Sequence, residues 1–223
     1  MNEENNVIKV AIIDDDIRWS KQLVQYLNNQ NNIMISWSST NKEEAIKLAK
    51  SNTVDIILMD IKLETEQEQN YDGILATIEV LEVDIKAKIV ILTNMVDGDL
   101  VVNSMTAGAV DYIHKENFKD LPNVLKSIIN NEYSPLNIIS QEYAKVRKDL
   151  TLQILTSTER KVLSLLEQRF TQTQISEQLC ISPDALKKHV GHILKKLEAK
   201  DPSEAFRNIK LKSLVWNRKK TEG

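Results

Sequence analysis

A chain of 223 residues, 42% hydrophobic and 27% charged, has the make-up of a globular protein with room for two domains and a core in each. No apolar run approaches the roughly 20 residues of a membrane span, and the polar start MNEENNVIKV is unlike a secretory signal, so a cytoplasmic location without membrane contact is expected. The net charge of −3 divides unevenly: residues 1–150 carry 15 basic and 24 acidic side chains, residues 151–223 carry 14 and 8, which hints at a polyanion partner for the basic part although a solvated surface explains charge alone equally simply.

Short apolar runs open the chain and alternate with helical patterns. The runs are VIKVAII (7–13), IMISW (33–37), VDIILM (54–59), KIVILT (88–93) and VDYIH (110–114). They are rich in Ile and Val and several are apolar almost without a break, as strands covered on both faces must be. Amphipathic stretches of helical length lie between and after them, at 18–28, 42–51, 72–84, 97–107 and 118–131. Strand and helix alternating five times predict right-handed crossovers and a five-stranded parallel sheet of the flavodoxin-like order, with its site outside the carboxyl ends of the strands.

Residues 132–153 interrupt this rhythm. Pro135 reads as a breaker, and the rest of the segment is read as a linker in which a short helix is possible. The acidic, Gln-rich stretch ETEQEQN (64–70) is assigned to a loop. From Leu155 onward the pattern is helical only, with segments near 157–168, 171–179, 183–197 and 203–213. Start signals stand at Ser157 or Thr158 before Glu159, Thr171 before Gln174, Ser182-Pro183-Asp184, and Pro202-Ser203-Glu204. The expected organisation is an α/β domain over 1–131, a linker over 132–153 and an all-α domain over 154–223. The lone Cys180 excludes an internal disulfide and reads as a small buried apolar residue.

The polar residues at the strand ends carry the chemistry. Asp14, Asp15 and Asp16 follow the first strand, Asp60 ends the third, Thr93 ends the fourth and Lys115 follows the fifth. In a parallel sheet these positions converge at one edge. Carboxylates so gathered repel unless a cation joins them, and hard oxygen ligands favour Mg²⁺. A carboxylate beside such an ion can attack a phosphoryl group and form an acyl phosphate. A lysine and a hydroxyl then serve the phosphoryl oxygens.

This pattern, with the approach AGAVDYIHK (107–115), resembles the receiver domain of response regulators over roughly residues 7–131. The resemblance implies Asp60 as phospho-acceptor and Asp14 and Asp15, with Asp60 and the Lys62 backbone carbonyl, as metal ligands. It implies Thr93 as switch hydroxyl, Lys115 as phosphate-pairing lysine and Tyr112 as aromatic switch. Asp16 is read as the cap of the first helix. The path from Asp60 to Asp72-Gly73 is about five residues longer than the family's, with Leu63 at the family's Met position and no proline; Asn94 stands at a commonly small position, and Asp111 adds a carboxylate.

The tail carries two helices, 171–179 and 183–197, joined by the very short turn Cys180-Ile181-Ser182, as a helix-turn-helix requires. On the second, Leu186, Val190, Ile193, Leu194 and Leu197 recur at helical spacing as the buried face, leaving Lys187, Lys188, His192, Lys195 and Lys196 outside it. The tail resembles the LuxR-type output domain of NarL/FixJ response regulators over 154–214, through Leu155-Thr156, Glu159-Arg160, Ile175, Ser182, Leu186-Lys187, His189 and Ile193-Leu194-x-Lys196-Leu197. That likeness implies Leu186 and Lys187 near bases, and His189 and Lys196 near phosphates. Arg169, Ala185 and Ser176 depart from it.

Together these imply a transcription regulator switched when a sensor histidine kinase phosphorylates Asp60, binding promoter DNA as a homodimer and holding no enzymatic activity beyond self-phosphotransfer and slow autodephosphorylation. A phosphorylation-independent receiver-like regulator is an alternative. A phosphohydrolase resembling the haloacid-dehalogenase superfamily, through Asp14-x-Asp16, Thr93 and Lys115, is another, but it leaves the helix-turn-helix unexplained.

Overall fold

The computed structural model describes residues 7–63, 72–83, 86–95, 97–132 and 135–214. Two compact units divide the chain, the first running to Tyr143 and the second covering Ala144–Leu214. No helix among the described residues is long and apolar enough to cross a membrane.

The first unit alternates strand and helix: β1 (Ile8–Ile13), α1 (Ile17–Asn28), β2 (Ile33–Ser39), α2 (Lys42–Ser51), β3 (Ile56–Met59), α3 (Asp72–Glu82), β4 (Lys88–Thr93), α4 (Gly98–Ala107), β5 (Asp111–His114), a 3-10 turn (Lys115–Asp120) and α5 (Leu121–Ile129). The strands form one sheet in the order β2-β1-β3-β4-β5, parallel throughout, as the alternation predicts. Both faces are covered. Val10, Ile12, Ile56, Leu58, Val90 and Leu92 join Leu23, Leu27, Leu121 and Leu125 in one core, while the intervening Ala11, Ile13, Ile57, Met59, Ile89 and Ile91 are equally buried. Such two-sided burial is why these runs are apolar without alternation.

Local chemistry fixes where the helices begin. Asp16 caps α1, its carboxylate accepting from the amides of Arg18 at 2.9 Å and Trp19 at 3.0 Å, and Asn41 and Asp97 cap α2 and α4 in the same way. The α3 start is set by close approach. The Gly73 amide donates to the Ile61 carbonyl at 2.9 Å, and a Cβ at Gly73 would lie 1.8 Å from the backbone oxygen of Asp60. Only glycine fits there, and it presses α3 onto the residue that ends β3. The stretch 64–70, expected to be a loop, lies outside the described residues.

Most of the expected linker is helical. Residues Pro135–Thr151 form a 17-residue helix, α6, that begins in the first unit and ends in the second. Pro135 opens this helix, a position where its missing N–H costs nothing. A 3-10 turn (Leu152–Ile154) leads to α7 (Ser157–Glu167), α8 (Gln172–Leu179), α9 (Pro183–Leu197) and α10 (Pro202–Ser213). Thr156, one residue earlier than expected, caps α7 in a reciprocal box with Glu159, and Thr171 does so for α8 with Gln174. Leu155, Val162, Leu163, Ile175, Leu186, Ile193, Leu197, Ala205 and Ile209 form the core of this unit.

Replacing Gly73 with alanine is expected to destabilise the first unit by about 1–3 kcal/mol or more, because the clash is with backbone and cannot be relieved by a rotamer change. Urea unfolding of the full chain, followed by tryptophan fluorescence, should show the midpoint of the affected transition falling with its m-value unchanged.

Candidate functional site

The carboxyl ends of β1, β3 and β4 and the start of the turn after β5 meet at one edge. The register places Ile13 beside Met59 and Thr93 beside His114, so Asp14, Asp60 and Lys115 each stand one residue beyond a paired strand end. The Asp60 amide donates to the Ile13 carbonyl at 2.8 Å, tying the two acidic strand ends together. Asp14, Asp60, Thr93 and Lys115 are all buried.

One ammonium holds this pocket. Lys115 Nζ lies 2.7 Å from Asp14 Oδ2 and 2.7 Å from Asp60 Oδ2. Burial pushes the Asp14 carboxyl up to about 6, against the pull of Lys115. Burial would lower the Lys115 ammonium, but Asp60 and Asp14 together raise it above the ordinary lysine range. Asp15, half-buried, completes the acidic group: one carboxylate oxygen from each of Asp14, Asp15 and Asp60 lies within 4.8 Å of the others. Three hard oxygen donors gathered so closely fit a divalent cation such as Mg²⁺ or Ca²⁺, with water filling the remaining positions. Asp16 is not among them, because its carboxylate is spent on the α1 cap.

The remaining residues line the rim. The Lys62 amide donates to Asp60 Oδ1 at 3.4 Å, and its side chain is exposed. Thr93 Oγ1 accepts from the Met95 amide at 3.4 Å. Tyr112 is half-buried, and its hydroxyl donates to the Met95 carbonyl at 2.6 Å. Burial, then the charges of Asp97 and Asp60, push the Tyr112 phenol up to about 12, so it remains a donor. Two contributors were not singled out from sequence, and a third, Gly73, was named there only for its place in the Asp72-Gly73 pair. Met95 acts through its backbone, Gly73 through the absence of a side chain, and Trp19 through its ring, whose centroid is 5.8 Å from Lys115 Nζ and which meets Phe118 edge-on at 5.4 Å. Only the strand-helix framework could have pointed to them.

In the second unit, α8 and α9 form the helix-turn-helix. Lys187, Lys188, His192 and Lys195 are exposed on α9, and Lys188, His192 and Lys195 share one face at spacings of four and three. His189 is half-buried. Two expectations are corrected here. Leu186, expected near bases, is 2% exposed and belongs to the core of the second unit. Cys180, expected to be buried, is exposed; it ends α8 in the left-handed conformation (φ 52°) that turns the chain toward α9. Lys196, for which the resemblance implies a phosphate contact, is exposed at its end and pairs with the enclosed Glu159 at 2.6 Å. Burial would raise the Glu159 carboxyl, but Lys196 and the Thr156 amide and hydroxyl hold it below the usual range. His192 Nδ1 stands 3.9 Å from the same carboxylate.

Residues 10–126 match the family model described as response regulator receiver domain, and residues 153–209 match the one described as bacterial regulatory proteins, luxR family. The chain is 27% identical to the transcriptional regulatory protein LiaR of Bacillus subtilis over 205 residues, covering 89% of this chain and 95% of LiaR. It is 26% identical to the response regulator protein VraR of Staphylococcus aureus, covering 89% and 94%. A solved structure of the Salmonella typhimurium RcsB response regulator superposes with a TM-score of 0.52 at 16% identity, over 94% of this chain and all of that one.

Protons and metal compete for Asp14. Protonation near the raised value of about 6 removes a ligand charge, so divalent-ion affinity is expected to be flat above about pH 7 and to fall toward about tenfold per pH unit well below 6. Mg²⁺ titrations read by Trp19 fluorescence, with Trp19→Phe as control, check this. An affinity flat down to pH 5 contradicts it.

Proposed function

We propose, from the premise that this chain belongs to the response-regulator receiver family, that it is switched by phosphorylation of Asp60 and acts on promoter DNA through its LuxR-type domain. The observation that carries this reading is the buried Asp14–Lys115–Asp60 cluster, with Lys115 Nζ 2.7 Å from each carboxylate.

In this reading an Asp60 carboxylate oxygen attacks the phosphorus of a phosphohistidine on a sensor histidine kinase. The P–N bond breaks as the new O–P bond forms, and the electron pair stays with the departing imidazole. Mg²⁺ held by Asp14, Asp15 and Asp60, with the Lys62 carbonyl, supplies positive charge for the phosphoryl oxygens. Lys115, already against Asp60, has the reach to pair with one of those oxygens. The Thr93 hydroxyl donates to another, giving up its contact with Met95. Because the Tyr112 hydroxyl is bound to the Met95 carbonyl, movement at Thr93 reaches Tyr112 through the same residue. Chemistry on external substrates is not part of this role; the chain transfers a phosphoryl group onto itself and loses it slowly to water, in the cytoplasm.

The output is DNA binding. Lys187, Lys188, His192 and Lys195 lie toward the groove and its phosphates, and two copies bind as a homodimer on paired half-sites. Lys196 serves to fix α9 onto α7 through Glu159.

Incubating the protein with Mg²⁺ and acetyl phosphate should add one phosphoryl group by intact mass, and Asp60→Asn should abolish the gain; a gain retained by Asp60→Asn overturns the assignment. On a mapped operator, Lys187→Ala is expected to weaken binding and, if its contact is to phosphate, to reduce the salt slope by about 1. Lys196→Met should instead lower the melting midpoint of the second unit, since it leaves the enclosed Glu159 unpaired.

A further inference from the structure

Six of the ten large hydrophobic side chains exposed among the described residues lie between Ile138 and Ile154. Four of them, Ile139, Tyr143, Val146 and Leu150, are each about half exposed or more and follow one another along α6 at intervals of four, three and four. At about 100° per residue they fall within an arc of roughly 60°. Alternating intervals of three and four are the seam of a two-stranded coiled coil. Ile138 lies outside the arc.

Other faces of α6 are already in use. Arg147 Nε donates to the Ser213 carbonyl at 3.4 Å, and Thr151 Oγ1 lies 2.9 Å from Ser213 Oγ. Lys148 pairs with Glu167 at 2.7 Å, and the Leu152 side chain that follows packs against the core of the second unit. The seam is therefore not the side by which α6 joins that unit.

We propose that this seam pairs with the same seam of a second copy of the chain, the two α6 helices lying side by side and parallel. Charge selects both the partner and the direction. With Tyr143 and Leu150 at the first core position of each heptad and Ile139 and Val146 at the fourth, Glu142 and Asp149 flank the seam on one side and Arg147 on the other. In a parallel pair Glu142 of each copy faces Arg147 of the other, so two-fold symmetry makes the attraction twice. An antiparallel pair sets the acidic flanks against each other instead. The seam from Ile139 to Leu150 is only about 18 Å long, and helices so short pair weakly alone. Attached domains that hold two copies near one another raise the effective concentration, which makes the pairing responsive to the state of those domains. The inference extends the reading of the chain as a homodimer on DNA, but it is tested on the protein alone.

Full-length chain carrying Cys180→Ser and a single new cysteine, either Val146→Cys in the seam or Lys145→Cys beside it, is treated with a short bismaleimide, with and without acetyl phosphate and Mg²⁺. Cross-linked dimer is expected at least tenfold more from Val146→Cys in one or both conditions. Equal yields, or none from Val146→Cys, overturn the proposal. In sedimentation, Glu142→Arg and Arg147→Glu should each reduce the dimer fraction and the double exchange should restore it; single variants that leave the fraction unchanged also overturn it. If the wild type gains a phosphoryl group and binds its operator while Val146→Cys fails to cross-link, the pairing surface is wrong and the function stands. Cross-linking without phosphoryl uptake means the reverse.

Discussion

Three carboxylates with oxygens within 4.8 Å of one another, two of them on buried residues, repel unless positive charge sits among them. Lys115 is that charge in the first unit, and its position follows from the sheet. It stands one residue beyond β5, while Asp14 and Asp60 stand one residue beyond β1 and β3, so parallel strands of matched register bring their ends to one point. The same constraint governs Gly73, which must lack a side chain for α3 to close against Asp60.

The second unit uses a buried charge differently. Glu159 is committed three times, to the α7 cap through the Thr156 amide, to Lys196, and to the neighbourhood of His192. That arrangement ties α9 to the start of α7 at Lys196. The helix has two faces: an inner one of Leu186, Ile193 and Leu197, and an outer one of Lys187, Lys188, His192 and Lys195.

Much of this was legible in the sequence because the signals were local. Strand runs apolar on both faces gave the sheet and its order, and α2 and α9 begin and end where their caps and periodicity place them. Residue spacing against strand ends was enough to gather Asp14, Asp15, Asp60, Thr93 and Lys115. What was not legible depended on distance through space. Lys196 looks like any outward lysine until α7 brings Glu159 to it. Leu186 was given two places, the buried face by its spacing and the bases by the resemblance, and packing upholds the first. Cys180 was read from residue type, whereas the turn needs a left-handed residue there and leaves its side chain in solvent. Pro135 was read as a stop because a proline interior to a helix breaks it, yet the same residue is well placed as the first of a helix.

Helix termini in the second unit share an unusual feature: Arg169, Cys180 and Glu198 all adopt positive φ, at 64°, 52° and 56°, and none is glycine. Left-handed backbone costs an ordinary residue roughly 1–2 kcal/mol, so the polypeptide does not favour these endings by itself. They persist because α7, α8, α9 and α10 lock against one core. The ends of α7, α8 and α9 are therefore set by the neighbours each helix packs against, not by the residue at which it stops.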